Sequence, residues 1–516
     1  MYNFAGTTLL GRDWGALELT FLAIDLCLMA ALVALRRTTP FRKLYVWLAT
    51  FMFVPLIGLA AYIMVGKPLF LGRRTPYHRG EGMEEIQKDS VRPELKLVAP
   101  FARALSTAGA MRYTSDSTAE YIGSGEEYFR RLFEDMGNAR ESFSMECYLI
   151  RNDDTSRRFE EAVCAMAGAG VRVRLIFDDY GYDAKNLRPV RRMRRAGCEV
   201  AIFHNMTKCL FNPKKNYRNH RKTVVIDGRI AYQGGYNIGN EYRVPGPLGT
   251  WRDGAVRIVG NQAREMQRMF AEDWHYVTGE DISRDPALFP ESAPQERPVP
   301  MQIVPGNPIE YERNPILAQF LILNDSARER IWIETPYFVP VREVFDDLRM
   351  KAAQGVDVRV IMPDRSDHPC VYWANRRYAY KLAAVGAKIY EYRGGFIHTK
   401  MVIADDKCCS LGSANYDERS TRLNWECNVM MYSEEMCARL AEEFEKDQGN
   451  STPFDTRVYS ERTLWERFKT FVSMLYSTQL RPRRLLYQCR RRLRAHGDRH
   501  RCDQGKKVRG YGPRPR

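Results

Sequence analysis

The sequence predicts two consecutive α/β domains that repeat one design, preceded by a two-helix membrane hairpin. Three observations lead to this fold class. Helix-like and strand-like segments alternate in the same order twice, one set of polar residues recurs at the same place in each repeat, and two long apolar runs precede both. With 516 residues, 45% of them hydrophobic, the chain is long and apolar enough for several domains with large cores.

The apolar runs cover residues 16–35 and 44–65, with four basic residues between them. Each run is close to the roughly 20 residues that a helix needs to cross a bilayer. No net positive charge precedes the first run, so a cleaved signal peptide is the poorer interpretation. We therefore predict a membrane-embedded hairpin in residues 1–70. Asp25, inside the first span, is a candidate functional acid or simply faces the second helix.

The twelve cysteines are scattered, without the paired spacing of a zinc site. Free buried thiols are the simpler interpretation, and they favour a reducing compartment. The sequence thus predicts no metal and no cofactor. It favours a protein of the cell membrane whose catalytic domains lie in the cytoplasm.

The repeat begins after a polar linker, residues 71–115. The first half contains, in order, a helix at 126–139, the strand SFSMECYLI, a helix at 156–168 and the strand VRVRLIFDD. The second half contains the counterparts of these elements in the same order: a helix at 315–328, the strand RIWIETPYF, a helix at 341–355 and the strand VDVRVIMPD. Strands that alternate with helices at this spacing favour α/β layers with a largely parallel sheet. We place the first domain at 116–285, a linker at 286–305, the second domain at 306–450 and a tail at 451–516.

Each half then carries the same motif. His220, Lys222 and Asp227 in the first half correspond to His398, Lys400 and Asp405 in the second, and an Asn follows ten residues after each Asp, at Asn237 and Asn415. A histidine and a lysine two residues apart on a strand project from one face, so an imidazole and an ammonium group can converge on one phosphate. A single such pattern arises often by chance. Two copies in the same structural context are not a coincidence, and they indicate a phosphodiester-processing site.

At these residues the sequence resembles the phospholipase D superfamily, over about residues 116–446. Within this superfamily the sequence is similar to the bacterial cardiolipin synthases. The similarity is carried by the N-terminal hairpin and by the stretches NYRNHRKTVVIDG, TPYFVP, GVDVRVIMP, GSANYDERS and NWE. Gly254 and Ala255 depart from the family pattern, since WRDGAV stands where WRDTH is usual. The resemblance implies phospholipase D-like α/β/α sandwich domains packed with pseudo-two-fold symmetry.

The resemblance also implies a chemistry. One histidine attacks phosphorus to give a phosphohistidine, and the other protonates the leaving alcohol and later deprotonates the acceptor. The family order makes His220 the nucleophile and His398 the acid and base. Lys222, Lys400, Asn237 and Asn415 are expected to donate to the phosphate oxygens, which stabilises the charge of the transition state without a metal.

Each of four acids has two alternative roles in this scheme. Asp227 and Asp405 lie too far along their strands to touch phosphate, so they orient structure or pair with the histidine of the opposite half. Glu241 and Glu426 either hold the imidazoles in one tautomer or are ordinary solvated or core-paired acids.

The implied reaction converts two phosphatidylglycerol molecules into cardiolipin and glycerol, with phosphatidylethanolamine as a partner lipid in some relatives. The alternative is a hydrolase of phospholipids or other phosphodiesters, since water and a lipid alcohol compete for the same intermediate. A nuclease fits less well with two membrane spans, and a catalytically dead lipid-binding scaffold would have lost a motif residue. No nucleic acid partner is expected.

The tail adds a basic segment. Residues 481–516 contain 14 basic and 2 acidic residues and supply most of the net charge of +16. Residues 463–480 have the pattern of an amphipathic helix. The tail is therefore a candidate for binding an anionic lipid surface, or else a solubilising arm.

Overall fold

The computed structural model describes residue 96 and residues 98–181, 188–204, 216–308 and 314–476. Among the helices in these ranges, none combines the length and the apolar character needed to cross a bilayer. The hairpin predicted for residues 1–70 and the basic residues 481–516 lie outside the described residues.

The first half is built on a seven-stranded sheet in the order β1-β9-β7-β6-β2-β3-β4. The strands of this half are β1 (Thr118–Ile122), β2 (Ser142–Cys147), β3 (Arg172–Asp178), β4 (Glu199–Phe203), β5 (Arg218–Asn219), β6 (Lys222–Ile226), β7 (Ile230–Gly234), β8 (Trp251–Arg252) and β9 (Ala255–Val259). Its helices are α1 (Ala99–Ala108), α2 (Gly125–Asn138), α3 (Asp154–Gly168), α4 (Arg188–Arg195) and α5 (Asn261–Thr278). Strand β2 is buried along its whole length, as expected for a central strand that is covered on both faces.

The second half repeats the order as β10-β17-β16-β15-β11-β12-β13-β18. Its strands are β10 (Met301–Gly306), β11 (Arg330–Glu334), β12 (Asp357–Pro363), β13 (Lys388–Tyr392), β14 (Phe396–Ile397), β15 (Met401–Ala404), β16 (Cys408–Gly412), β17 (Asn424–Met431) and β18 (Ser451–Pro453). The helices are α6 (Pro315–Ser326), α7 (Arg342–Ala353), α8 (Pro369–Ala383), α9 (Glu418–Arg422), α10 (Glu434–Gly449), α11 (Thr456–Ser460) and α12 (Leu464–Tyr476). The predicted repeat of α/β domains is thus confirmed.

The expectation of a largely parallel sheet is wrong. Within the two long sheets of the described residues, the parallel neighbours are β2, β3 and β4 and their counterparts β11, β12 and β13, while the motif strands β6 and β15 are antiparallel to β2 and β11. Each motif strand is also antiparallel to the strand that follows it, because a short turn rather than a crossover helix connects the two.

The boundaries of the halves also differ in detail from the predicted ones. Strand β10 lies largely within the predicted linker 286–305 yet forms the edge of the second sheet through its pairing with β17. Helix α1 lies in the linker predicted at 71–115 and packs against α6 of the second half. Strand β18 extends the second sheet beyond residue 450.

Two short strands join the halves crosswise. β5 of the first half pairs with the start of β17, and β14 of the second half pairs with β8. A shared hydrophobic core, which includes Val225 and Ile258 from one half and Ile303 and Leu411 from the other, lies between the sheets. The two motifs are therefore held at one interface.

Candidate active site

His220 follows directly after β5 and is held by the second half. The register that pairs Asn219 with Trp425 brings His220 beside Glu426, and the His220 backbone N–H donates to the Trp425 carbonyl at 2.8 Å. The Nδ1 atom of His220 lies 3.0 Å from Oε2 of Glu426. Glu426 is fully buried and also accepts hydrogen bonds from the hydroxyls of Ser413 and Ser420. The imidazole is thus fixed through Nδ1, which leaves Nε2 for chemistry.

His398 is held in the same way by the first half. The register that pairs Ile397 with Arg252 brings His398 beside Asp253, and the His398 N–H donates to the Arg252 carbonyl at 2.7 Å. The Nδ1 atom of His398 lies 2.5 Å from Oδ2 of Asp253, whose side chain is buried. Gly235 makes room for this carboxylate, because a Cβ at that position would overlap it.

The two lysines line the same buried site. Lys222 Nζ donates to the carbonyl of His220 at 2.6 Å, and Lys400 Nζ makes the equivalent bond to His398. Burial lowers the pKa of Lys222 to about 7 and that of Lys400 to about 8. A bound anionic ligand would therefore stabilise the ammonium form of both lysines and raise their pKa values.

Burial also keeps both imidazoles neutral. It lowers the pKa of His220 to about 4 and that of His398 to about 3, in each case against the opposing pull of the paired carboxylate. Burial by itself would raise the pKa of Glu426, but His220 and Lys222 hold it below its usual range. The charge of Lys400 also lowers the pKa of His220, and the charge of Lys222 lowers that of His398. The two motifs therefore form one electrostatic unit.

Asn237 and Asn415 flank this unit with buried amides. The Asn237 backbone N–H and side-chain Nδ2 both donate to the Tyr242 hydroxyl, and the Asn415 backbone N–H donates to the Ser420 hydroxyl. Oδ1 of each asparagine is buried without a hydrogen-bond partner among the described residues. A buried amide with one unsatisfied end is suited to a polar ligand, because it can turn to offer either its carbonyl or its NH₂ group.

Asp227 and Asp405 are placed away from the imidazoles. The carboxylate of Asp227 accepts the backbone N–H groups of Arg140, Glu141 and Ser142 at 2.8–2.9 Å. Asp405 accepts three N–H groups at 2.9 Å from the residues that lead into β11. Of the two predicted alternatives, orientation of structure fits this geometry and pairing with the opposite histidine does not.

Glu241 does not contact an imidazole in the described structure. It lies in the short 3₁₀ helix Asn240–Tyr242, and its carboxylate pairs with Arg151 at 2.8 Å. The residue that holds His398 is instead Asp253, which sequence reasoning missed. Asp253 comes two residues after Trp251 and Glu426 directly after Trp425, so a nearby tryptophan is a weak signal that does not align the two acids.

Arg252 fixes the strand that carries Asp253. Its guanidinium donates to Asp447 at 3.1 Å, to Glu443 at 2.9 Å and to the carbonyl of Asp253 at 2.7 Å. Aromatic rings surround both imidazoles, with Tyr148 5.0 Å from His220 and Trp251 4.9 Å from His398 between ring centroids. Hydrogen bonds and ring packing therefore both hold the imidazoles in place.

A double α/β repeat with paired His-Lys motifs at its interface defines a phospholipase D-like protein. The family model described as "Cardiolipin synthase, PLD-like domain" matches residues 132–274 and 321–448. The chain belongs to this cardiolipin synthase family, as the sequence resemblance predicted, and with it the prediction of an enzyme is confirmed.

Its relatives match over nearly their whole length. A cardiolipin synthase of Oceanobacillus iheyensis is 33% identical over 90% of this chain and 98% of its own. The major cardiolipin synthase of Bacillus subtilis is 32% identical over 87% and 96% of the two chains. The crystal structure of a phosphatidylserine synthase from Haemophilus influenzae superposes with a TM-score of 0.56 at 14% identity, over 73% of this chain and 97% of that one, which supports the fold alone.

Proposed function

We propose that this chain transfers a phosphatidyl group from one phosphatidylglycerol to another, giving cardiolipin and glycerol. The observation that carries the proposal is the pair of motif histidines, each held at Nδ1 by a buried carboxylate from the opposite half. Nucleophilic and acid–base catalysis need two such groups with their Nε2 atoms free.

In the first step, Nε2 of His220 bonds to phosphorus while the bond from phosphorus to the headgroup glycerol oxygen breaks. His398, protonated at Nε2, gives that proton to the departing oxygen. Burial keeps His398 neutral in the free site despite Asp253, and the negative charge of the incoming phosphodiester is what shifts it toward the protonated form. Lys222, Lys400, Asn237 and Asn415 offer donors to the phosphate oxygens as negative charge develops.

In the second step, His398 takes a proton from the free hydroxyl of a second phosphatidylglycerol. The alkoxide attacks phosphorus, the bond to Nε2 of His220 breaks, and His398 is again protonated. The site must exclude water at this stage, because water at the phosphohistidine would give phosphatidic acid. The burial of both motif lysines and of His398 supports transfer over hydrolysis.

We place the enzyme in the cell membrane, anchored by the hairpin of residues 1–70, with its catalytic halves in the cytoplasm. The 14 basic residues among 481–516 suit an anionic leaflet. A phospholipid substrate, and no nucleic acid, follows from this placement.

The test is to reconstitute the full chain in vesicles with labelled phosphatidylglycerol and to resolve the lipid products. We expect cardiolipin and glycerol from the wild type and from His275→Ala, a histidine outside both motifs. His220→Ala and His398→Ala should yield neither. Phosphatidic acid as the main product would make the protein a hydrolase, and an active His220→Ala variant would refute the mechanism.

A further inference from the structure

Helix α12 turns its apolar side away from the protein. Thr470 and Ser473 are buried, whereas Leu464, Trp465, Phe468 and Phe471 are 83%, 62%, 53% and 61% exposed. An ordinary surface helix does the opposite and buries its apolar stripe in the core. These four side chains, hereafter the α12 stripe, are a contiguous apolar surface without a covering element among the described residues.

The flanks of the stripe carry positive charge. Arg467 lies on one side of it and Lys469 on the other, given the 100° turn per helical residue. Lys469 Nζ lies 5.6 Å from the ring of Trp465 and 5.3 Å from that of Trp373 on α8. Tryptophan and phenylalanine bordered by basic residues are typical of helices that lie in a membrane interface, where lysine and arginine extend to the headgroups.

The chain beyond the helix has the same preference. Residues 481–516, which follow α12 closely, contain 14 basic and 2 acidic residues. Each base held near an anionic leaflet contributes about 1 kcal/mol of attraction, so this segment favours a lipid surface of negative charge. Charge and apolarity together select an anionic lipid leaflet as the occupant.

Helix α12 is also connected to the active site. It packs against α8, and Lys469 contacts Trp373 in the first turns of that helix. Asp367, two residues before α8 begins, accepts a hydrogen bond from Tyr337 at 2.6 Å and acts electrostatically on Lys400. From Pro369 to Trp373 the helix rises only about 6 Å, so α12 packs on the end of α8 that begins beside Asp367.

We infer that α12 lies flat in the surface of an anionic bilayer and holds the rim of the active site against the leaflet that contains its substrate. This inference rests on the proposed function for the identity of the substrate. The first of its two tests does not depend on turnover.

The first measurement is tryptophan quenching of the full chain in vesicles that contain anionic phospholipid brominated on the upper acyl chain. The difference in emission between the wild type and Trp465→Phe isolates Trp465. Because an interfacial helix sinks about 5–10 Å below the headgroups, we expect most of this difference signal to be quenched. The emission of Trp332, isolated in the same way with Trp332→Phe, should not be quenched, because this residue is buried in β11.

The second measurement compares Phe471→Glu with Met350→Glu, a residue of α7 that is equally exposed at 59%. Phe471→Glu should reduce the rate on vesicles about tenfold and leave the rate in detergent micelles unchanged. Met350→Glu should alter neither rate.

An unquenched Trp465 would overturn the inference and would leave another protein segment or a second molecule as the cover of the stripe. Equal loss by Phe471→Glu in vesicles and micelles would overturn it as well. If the wild type makes no cardiolipin in either system, the proposed function fails, while quenching in the same vesicles still decides where α12 lies.

Discussion

At the scale of single residues, the two histidine–carboxylate pairs are the feature on which activity depends most. Asp253→Asn is expected to lower kcat by about 10²–10⁴, because the amide no longer favours the Nδ1–H tautomer and does not stabilise the imidazolium. Glu426→Gln should do the same through His220. Steady-state kinetics in detergent micelles would measure both effects.

Glu241→Gln is the matched control, since Glu241 pairs with Arg151 and not with an imidazole. Its kcat should stay close to that of the wild type. Full activity of Asp253→Asn would show that His398 does not need its partner.

The lysines predict the pH dependence of the reaction. In the proposed mechanism the ammonium form of each lysine binds phosphate, and this form is lost as the pH rises through pKa values lowered to about 7 for Lys222 and about 8 for Lys400. We therefore expect kcat/KM to fall above neutral pH. The fall in kcat should come at higher pH, because a bound phosphodiester stabilises the ammonium.

Lys222→Arg separates the two contributions, since a guanidinium does not titrate in this range. If Lys222→Arg is active, the pH at which its kcat/KM falls should rise toward the pKa of Lys400, about 8. A kcat/KM that stays level to about pH 10 would contradict this account.

Much of the site could be predicted from the sequence because it is repeated. His220, Lys222 and Asn237 recur with identical spacing in the second half, and repetition distinguishes them from chance matches. Asp253 could not be found in this way. It lies 16 residues after its asparagine while Glu426 lies 11 after the other, and the two differ in residue type. Only the crosswise pairing of strands makes them equivalent.

At the scale of the elements, Asp227 and Asp405 form the turns that end the motif strands. Both residues have positive φ, 52° and 50°. Each carboxylate accepts hydrogen bonds from three backbone N–H groups at the start of a central strand. Asp227→Ala should lower the free energy of unfolding by about 2–3 kcal/mol, since those donors lose a charged acceptor. Chemical denaturation would measure the loss.

The catalytic rate of folded Asp227→Ala should be unchanged at a temperature well below its melting point. Asp227→Asn should be less destabilised, because asparagine tolerates positive φ and retains one acceptor oxygen. A large drop in kcat in a fully folded variant would instead support a direct catalytic part for Asp227.

The helices and long strands could be predicted because local periodicity determines them. The helix expected at 315–328 is α6, Pro315–Ser326, and the one expected at 341–355 is α7, Arg342–Ala353. The strand directions could not, since they depend on pairings between distant segments. β5 and β14 are two residues each, too short to give any periodic signal, yet they place both histidines.

At the scale of the whole molecule, the halves exchange the groups that complete each other's chemistry. His220 takes its carboxylate from the second half, and His398 takes its own from the first. The shared core between the sheets keeps both pairs in register. We therefore expect neither half to be an enzyme alone, because each contains a motif histidine whose carboxylate partner lies in the other.

This exchange predicts complementation between fragments. Glu296 and Arg297 are exposed and lie between the last helical turn of the first half and β10, so a break there leaves both sheets intact. Residues 1–296 and 297–516 expressed separately should each be inactive, while co-expression should restore cardiolipin formation through docking of the shared core. A second fragment carrying His398→Ala should fail to complement and thereby shows that the recovered activity comes from the joint site. Turnover by either fragment alone would mean that one half supplies a complete site, against the crosswise pairing of β5 with β17 and of β8 with β14.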